Sequence, residues 1–193
     1  PIIALLSDFG LKDPYVAEMK GVILSIFPEA ILVDVSHDVS KFNVREGAFI
    51  LAQSAPYLPR GTVNLAVVDP GVGSSRRAIV VEGRRSLYVG PDNGLLMLAS
   101  SLEGIRNVYE IRNKELMLRE ISKTFHGRDI LAPVAANLAK GAPPEEVGPK
   151  ISDYVVPDFA IPKVRRTSLI GEVVYVDGFG NAITNIPKRL ARG

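Results

Sequence analysis

Short apolar runs, each closed by turn-forming residues, recur along the amino-terminal half of the chain at Ile2–Leu6, Ile31–Val35, Val63–Val68, Ala78–Val81 and Ser86–Val89. Runs of this length, rich in Val, Ile and Leu, predict strands. Between the first two, Tyr15–Phe27 carries apolar residues at Val16, Met19, Ile23 and Ile26, a spacing of three or four that lines one face of a helix. Between the next two, Val44–Tyr57 reads the same way through Ala48, Ile50, Leu51 and Ala55. A further helix is predicted over Gly127–Lys140, opened by KTFHGRD after a less regular polar segment. Strands alternating with amphipathic helices predict an α/β fold, an open and mostly parallel sheet with helices on both faces.

Sheets of this kind bind ligands beyond the carboxyl ends of their strands. The informative loops are therefore SDFG after the first strand, SHD after the second, DPGVGSSRR after the third and PDNG after Val89. From Gly141 to Pro162 the composition shifts to Pro, Gly and charge, which marks a connection. The predicted organisation is an α/β amino domain over 1–150, a linker over 151–166, and the opening of a β-rich carboxyl domain over 167–193. In the last of these, SLIGEVVYVDGFGNAITNI offers one strand, a turn at Gly178–Asn181 and part of a return strand. A lone hairpin is marginally stable in water, so this unit is expected to be incomplete or to complete itself against another subunit.

Composition narrows the chemistry. At 193 residues and 47% hydrophobic, the chain can bury a real core. A net charge of +2, from 23 basic and 21 acidic residues spread along the chain, argues against a nucleic-acid surface. With no cysteine there is no disulfide, thiolate metal site or cysteine nucleophile. Only His37 and His126 could add imidazole to a metal site, no metal-binding motif is present, and none is expected. The opening run PIIALL is too short to span a bilayer and reads as a strand, so a cytoplasmic protein is expected.

Five places could carry chemistry, and each has a plainer reading. Asp69 stands at the carboxyl end of the third strand, where Asp-Pro also simply starts a turn. Arg76 and Arg77 could be solvated residues. Alternation along a strand allows at most one of them to face Asp69, and that one would hold the carboxylate ionised and orient a small polar molecule. His126 is either a structural histidine or, at a helix start beside Gly127, part of a site for a hydroxide or a developing negative charge. Asp8 and Asp13 flank the first turn, where carboxylates also cap helices. Asp177 and Asn181 in VDGFGN are turn formers by the same logic.

Taken together, SDFG, EGA, VVDPGVG followed by RRAIV, PDNG, TFHGRDI and VDGFGN with its following TN occur here in one order. That set resembles the S-adenosylmethionine hydroxide adenosyltransferase family, hydrolases related to the fluorinating and chlorinating enzymes. The resemblance implies that water or hydroxide attacks C5′ of S-adenosylmethionine and expels methionine, leaving adenosine, with no cofactor beyond the substrate itself. It implies that Asp69, Arg76 and His126 manage the water together with backbone amides near Gly127, either Asp69 or His126 being the base. It further implies that Asp8 accepts the ribose hydroxyls, that Phe42 lies beside the ribose and sulfonium, and that Phe125 also contacts the substrate. Asp13 and Asp177 match carboxylates around the methionine ammonium, and Asn181 matches an adenine contact. Tyr15 stands where halogenating relatives carry a smaller polar residue and is given no role. The family implies a homotrimer with sites between subunits. Two rivals remain open: a binding module for S-adenosylmethionine or adenosine without turnover, and a nucleoside hydrolase cutting at C1′, which would release adenine.

Overall fold

The computed structural model describes residues 1–160, 162–186 and 190. Position 161 of the predicted linker and positions 187–189 and 191–193 of the last unit lie outside the described residues. A six-stranded sheet runs in the order β2-β1-β3-β5-β4-β6, built from β1 (Ile2–Ser7), β2 (Ile31–Ser36), β3 (Val63–Val67), β4 (Ala78–Gly83), β5 (Leu87–Pro91) and β6 (Ile105–Glu110). Helices α1 (Tyr15–Ile26), α2 (Val44–Ser54), α3 (Met97–Glu103) and α4 (Ala132–Lys140) flank it.

Side chains on successive strand residues point to opposite faces, and both faces here are covered. Ile3 and Leu5 of β1, Val63, Leu65 and Val67 of β3, and Val80 of β4 pack in one cluster with Met19 and Ile23 of α1 and Leu131, Val134 and Ala135 at α4. Leu6, Ala66, Ile79 and Val81 pack on the other face with Ala48 and Leu51 of α2 and Met97 and Ala99 of α3. A strand buried on both sides reads as an unbroken apolar run, which is why the central β3 is buried throughout. No described helix is long and apolar enough to cross a membrane.

The expected α/β sheet is present, with four differences of detail. Strand β4 is antiparallel to both β5 and β6. Only Arg84, Arg85 and Ser86 separate β4 from β5, and a connection that short makes a hairpin and cannot make a crossover. The second predicted helix gives way at Ser54 to a tight 3-10 turn over Ala55–Tyr57, because Pro56 has no N–H to continue it. The third begins as a π-helical turn over Gly127–Leu131 before α4. Helix α3 and the edge strand β6 have no counterpart in the sequence reading.

After the sheet, β7 (Lys163–Val164) pairs with β8 (Leu169–Ile170), and β9 (Val173–Val176) with β10 (Ala182–Thr184), as two antiparallel hairpins. Strand β7 falls inside the predicted linker. The β9–β10 hairpin is tied to α2 by the stacked rings of Phe49 and Tyr175 at 5.2 Å and by Arg45 and Glu172 at 2.6 Å. The segment before it is held by Arg77, which bonds Asp92 and Asp153, while Asp92 also accepts the Val155 N–H at 2.9 Å.

Candidate active site

Strands β1 and β3 are parallel neighbours in register Ser7 to Val67, so the residues that follow them leave the sheet side by side at its carboxyl edge. Those residues are Asp8 and Asp69. Between them opens a cavity of about 270 Å³ whose walls include Asp8, Phe42, Asp69, Phe125, His126 and Gly127. Arg76 stands behind Asp69 and reaches both Asp69 and His126.

The loop from Asp69 to Arg77 is shaped by its own polar groups. Gly71 N–H donates to Asp69 Oδ1 at 3.2 Å and Ser74 Oγ donates to the Gly71 carbonyl at 2.6 Å. Gly73 has φ +77°, and a Cβ there would sit 2.2 Å from the Lys123 carbonyl oxygen. Only glycine allows this approach, which brings the loop onto the segment that leads into His126.

The two arginines separate as strand alternation requires. Arg76 shares its parity with Ala78 and Val80 and so lies on the α1/α4 face with Asp69, whereas Arg77 shares that of Ile79 on the opposite face. Arg76 makes a two-pronged pair with Asp69, Nε to Oδ1 at 3.1 Å and Nη2 to Oδ2, and Nη1 donates to the Arg77 carbonyl at 2.8 Å. The side chains are only 8% and 6% exposed. A pair this buried survives because both charges are matched and hydrogen-bonded, and removal of one partner leaves the other stranded.

His126 Nδ1 lies 3.4 Å from Arg76 Nη2. A guanidinium can only donate, so Nδ1 is an acceptor and the neutral ring carries its proton on Nε2. Burial first, and the Arg76 charge second, push the His126 pKa below its ordinary 6.5, against the opposing pull of Asp69 and Asp129. In the window between that lowered value and 6.5 the unfolded chain binds more protons than the folded one, so stability falls as pH falls through it and levels off below. Melting temperatures taken from about pH 7 down to about pH 5 are expected to show this slope, and His126→Gln is expected to flatten it. An unchanged slope would remove His126 as its source.

Asp129 anchors the same segment from beneath. Burial alone would raise its pKa, but hydrogen bonds from Arg128 Nε (2.6 Å) and Ser122 N–H (2.8 Å) outweigh burial and hold it low. Arg128 also pairs with Glu18 of α1 at 2.7 Å and lies 5.1 Å over the Phe125 ring.

The far wall is aromatic. Phe9, Tyr15 and Phe125 meet edge to face with centroids 5.2 to 5.8 Å apart. Phe42 has φ +62°, a conformation that a bulky side chain adopts only under constraint. The constraint is visible: Phe42 N–H donates to Asp8 Oδ2 at 2.8 Å, and Lys41 Nζ donates to the Asp8 carbonyl at 2.5 Å. Phe42 remains 65% exposed at the rim.

Asp8, Phe42, Asp69, Arg76, Phe125, His126 and Gly127 are thus brought together. Asp13, Asp177 and Asn181 are not among the cavity walls. Asp13 is exposed ahead of α1, and Asp177 closes the β9–β10 turn by accepting from Phe179 N–H, Asn181 N–H and Asn181 Nδ2 at 2.9, 2.9 and 2.7 Å. The sequence reading missed Phe9, Lys41, Val72 and Thr124 and set Tyr15 aside, although all five line the cavity. Phe9 and Thr124 are direct neighbours of Asp8 and Phe125, which is the signal that could have found them.

A family profile described as the SAM hydroxide adenosyltransferase N-terminal domain matches residues 3–148. The chain is 46% identical over 184 residues to an (R)-S-adenosyl-L-methionine hydrolase from Salinispora tropica, covering 94% of this chain and 70% of that protein. It is 33% identical over 213 residues to a fluorinase from Actinoplanes, covering 96% of this chain and 71% of the relative. The crystal structure of an uncharacterised conserved protein from Thermotoga maritima superposes with a TM-score of 0.90 at 45% identity, over 97% of this chain and 72% of the other.

Proposed function

The chain belongs to the S-adenosylmethionine hydroxide adenosyltransferase family, and we propose that it hydrolyses S-adenosyl-L-methionine to adenosine and L-methionine. The observation that carries this reading is the polar wall of Asp69 and His126, backed by Arg76 bonded to both, facing a cavity whose other walls include Asp8 and an aromatic cluster. The higher identity to the hydrolase than to the fluorinase favours water over halide as the nucleophile.

The chemistry asks little of the protein. Oxygen attacks C5′ and forms the new bond as the C5′–S bond breaks. The electron pair passes to the sulfonium sulfur, which departs as the neutral thioether of methionine, so no general acid is needed. What remains is to align a nucleophile in a dry pocket and to favour its charged form. Arg76, the N–H of neutral His126 and the Gly127 amide are all donors, and a donor set of that kind favours hydroxide. Asp69 holds the guanidinium in place and is the group left to take the water's proton, since His126 Nδ1 already accepts from Arg76 and its Nε2 carries the ring proton. Asp8 receives the ribose hydroxyls, while the aromatic rings of Phe42 and Phe125 suit the face of a sulfonium cation.

We read the assembly as a cytoplasmic homotrimer. A cavity of about 270 Å³ is small for a ligand that needs roughly 300 Å³ or more, and the β9–β10 hairpin exposes Val173, Val176 and Phe179. A second copy's hairpin, carrying Asp177 and Asn181, would enlarge and close the site, and Asp13, exposed ahead of α1, would share the methionine ammonium with it. A monomer in sedimentation velocity at working concentration would end the shared-site part.

The decisive experiment mixes the protein with S-adenosylmethionine and separates the products. Adenosine and methionine in equal amounts are expected. Saturable binding heat without adenosine would mark a binding module, and adenine would mark cleavage at C1′.

A further inference from the structure

The pocket loop is gripped from behind by a residue with no place in the chemistry above. We infer that His37 is a positioning residue that clamps Ser7–Gly10 at both ends and so fixes Asp8, an inference resting on the reading of Asp8 as the ribose contact.

The side chain of His37 takes one end of the loop. Its Nδ1 lies 2.7 Å from Ser7 Oγ, and its Nε2 lies 3.1 Å from Asp34 Oδ1. Its backbone takes the other end, since Gly10 N–H donates to the His37 carbonyl at 2.7 Å. Asp8 and Phe9, held between these two points, are cavity walls. Strand register explains how His37 arrives there: β1 and β2 pair Leu5 with Asp34 but Leu6 with Ser36. The bulge that skips Val35 advances the end of β2 by one residue, the usual effect of such an insertion.

The ring has only one neutral arrangement that satisfies its partners. The Asp34 carboxylate, itself held by Lys20 at 2.6 Å, can only accept, so Nε2 carries the proton and Nδ1 accepts. Ser7 must then donate its hydroxyl hydrogen to Nδ1, which turns an Oγ lone pair toward the Phe9 N–H at 3.4 Å. Ser, His and Asp in this order look like a nucleophilic triad. Ser7 has no exposed surface and His37 is 5% exposed, so no substrate reaches the hydroxyl. The same hydrogen-bond chain that would activate a surface serine here sets the orientation of a loop.

The test is steady-state hydrolysis of S-adenosylmethionine by full-length His37→Ala, His37→Asn and Asp8→Ala. A displaced carboxylate weakens binding before it disturbs the water site, so His37→Ala is expected to raise KM about tenfold with kcat within about threefold. His37→Asn, whose amide oxygen can accept from Ser7 near the Nδ1 position, is expected to bring KM back to within about threefold of wild type. A merely structural role would instead reduce the active fraction, lowering apparent kcat at unchanged KM. Should His37→Ala fail to fold, Ser7→Ala removes the same bond without the ring volume and is expected to give the same rise in KM. Unchanged KM in the His37 or Ser7 variant, with Asp8→Ala raised, overturns the clamp alone. Unchanged KM in Asp8→Ala overturns the ribose reading and the clamp with it.

Discussion

Asp69→Ala is expected to lower kcat by about 10²–10⁴-fold while KM stays within about fivefold, because Asp69 meets the nucleophile and the guanidinium and leaves the substrate to other walls. The change removes both prongs of the pair with Arg76 and the acceptor for Gly71 N–H. It also strands a buried guanidinium, which costs about 3–5 kcal/mol of stability when a buried pair loses one member. Activity and stability would then fall together, and the loss of rate could be mistaken for unfolding. Asp69→Ala combined with Arg76→Met separates them. With no unpaired charge left, the double variant is expected to recover much of the melting temperature and none of the turnover. Recovery of turnover along with stability, or full turnover in Asp69→Ala alone, would show that the pair holds the fold and does not manage the water.

That pair also shows how far the sequence could be read. Alternation says that adjacent residues at a strand's edge face opposite ways, so one arginine at most could join Asp69. The structure assigns Arg76 to Asp69 and Arg77 to Asp92 and Asp153. Asp8 and Asp69 were legible for a related reason: both follow apolar runs, and parallel neighbouring strands must deliver the residues after them to the same edge. The apolar runs themselves were clear because β1 and β3 are buried on both faces. Strand β6 escaped because an edge strand buries only part of its surface, and IRNVYE mixes polar and apolar positions without a clean period.

What the sequence could not supply were contacts made across chain distance by ordinary residues. Lys41 looks like any surface lysine until the fold sets its Nζ on the Asp8 carbonyl. Tyr15 reads as the first residue of a helix, and only packing joins it to Phe9 and Phe125. His37 offered an imidazole with a carboxylate three positions back at Asp34, but its link to Ser7, thirty positions away, depends on a bulge that has no sequence mark. In contrast, Asp177 and Asn181 meet within one turn. Their turn-forming reading accounts for both within a single copy, and their substrate roles belong to the proposed assembly.

The fate of the oxygen atom tests the proposed geometry most directly. Asp69, His126 and Gly127 are cavity walls with Arg76 bonded behind the first two, so a nucleophile held there approaches C5′ from one side. Displacement at a primary carbon places the entering and leaving groups roughly opposite one another, so methionine must depart on the far side. In heavy-oxygen water the label is expected wholly in the 5′-hydroxyl of adenosine and not in methionine, as mass spectrometry of the separated products would read. A substrate made chiral by deuterium at C5′ is expected to give inverted adenosine. The main competitor is attack by a carboxylate of Asp69 or Asp8, forming an ester that water then opens. If water opens that ester at C5′, two displacements there give net retention; if it attacks the acyl carbon, C5′ keeps its single inversion and the label enters the protein's carboxylate during the first turnover. Asp69 is a poor candidate for that role, since Arg76 and Gly71 already occupy its oxygens and draw off the electron density a nucleophile needs. Retention at C5′, or first-turnover label in either aspartate, would replace direct attack by the covalent route.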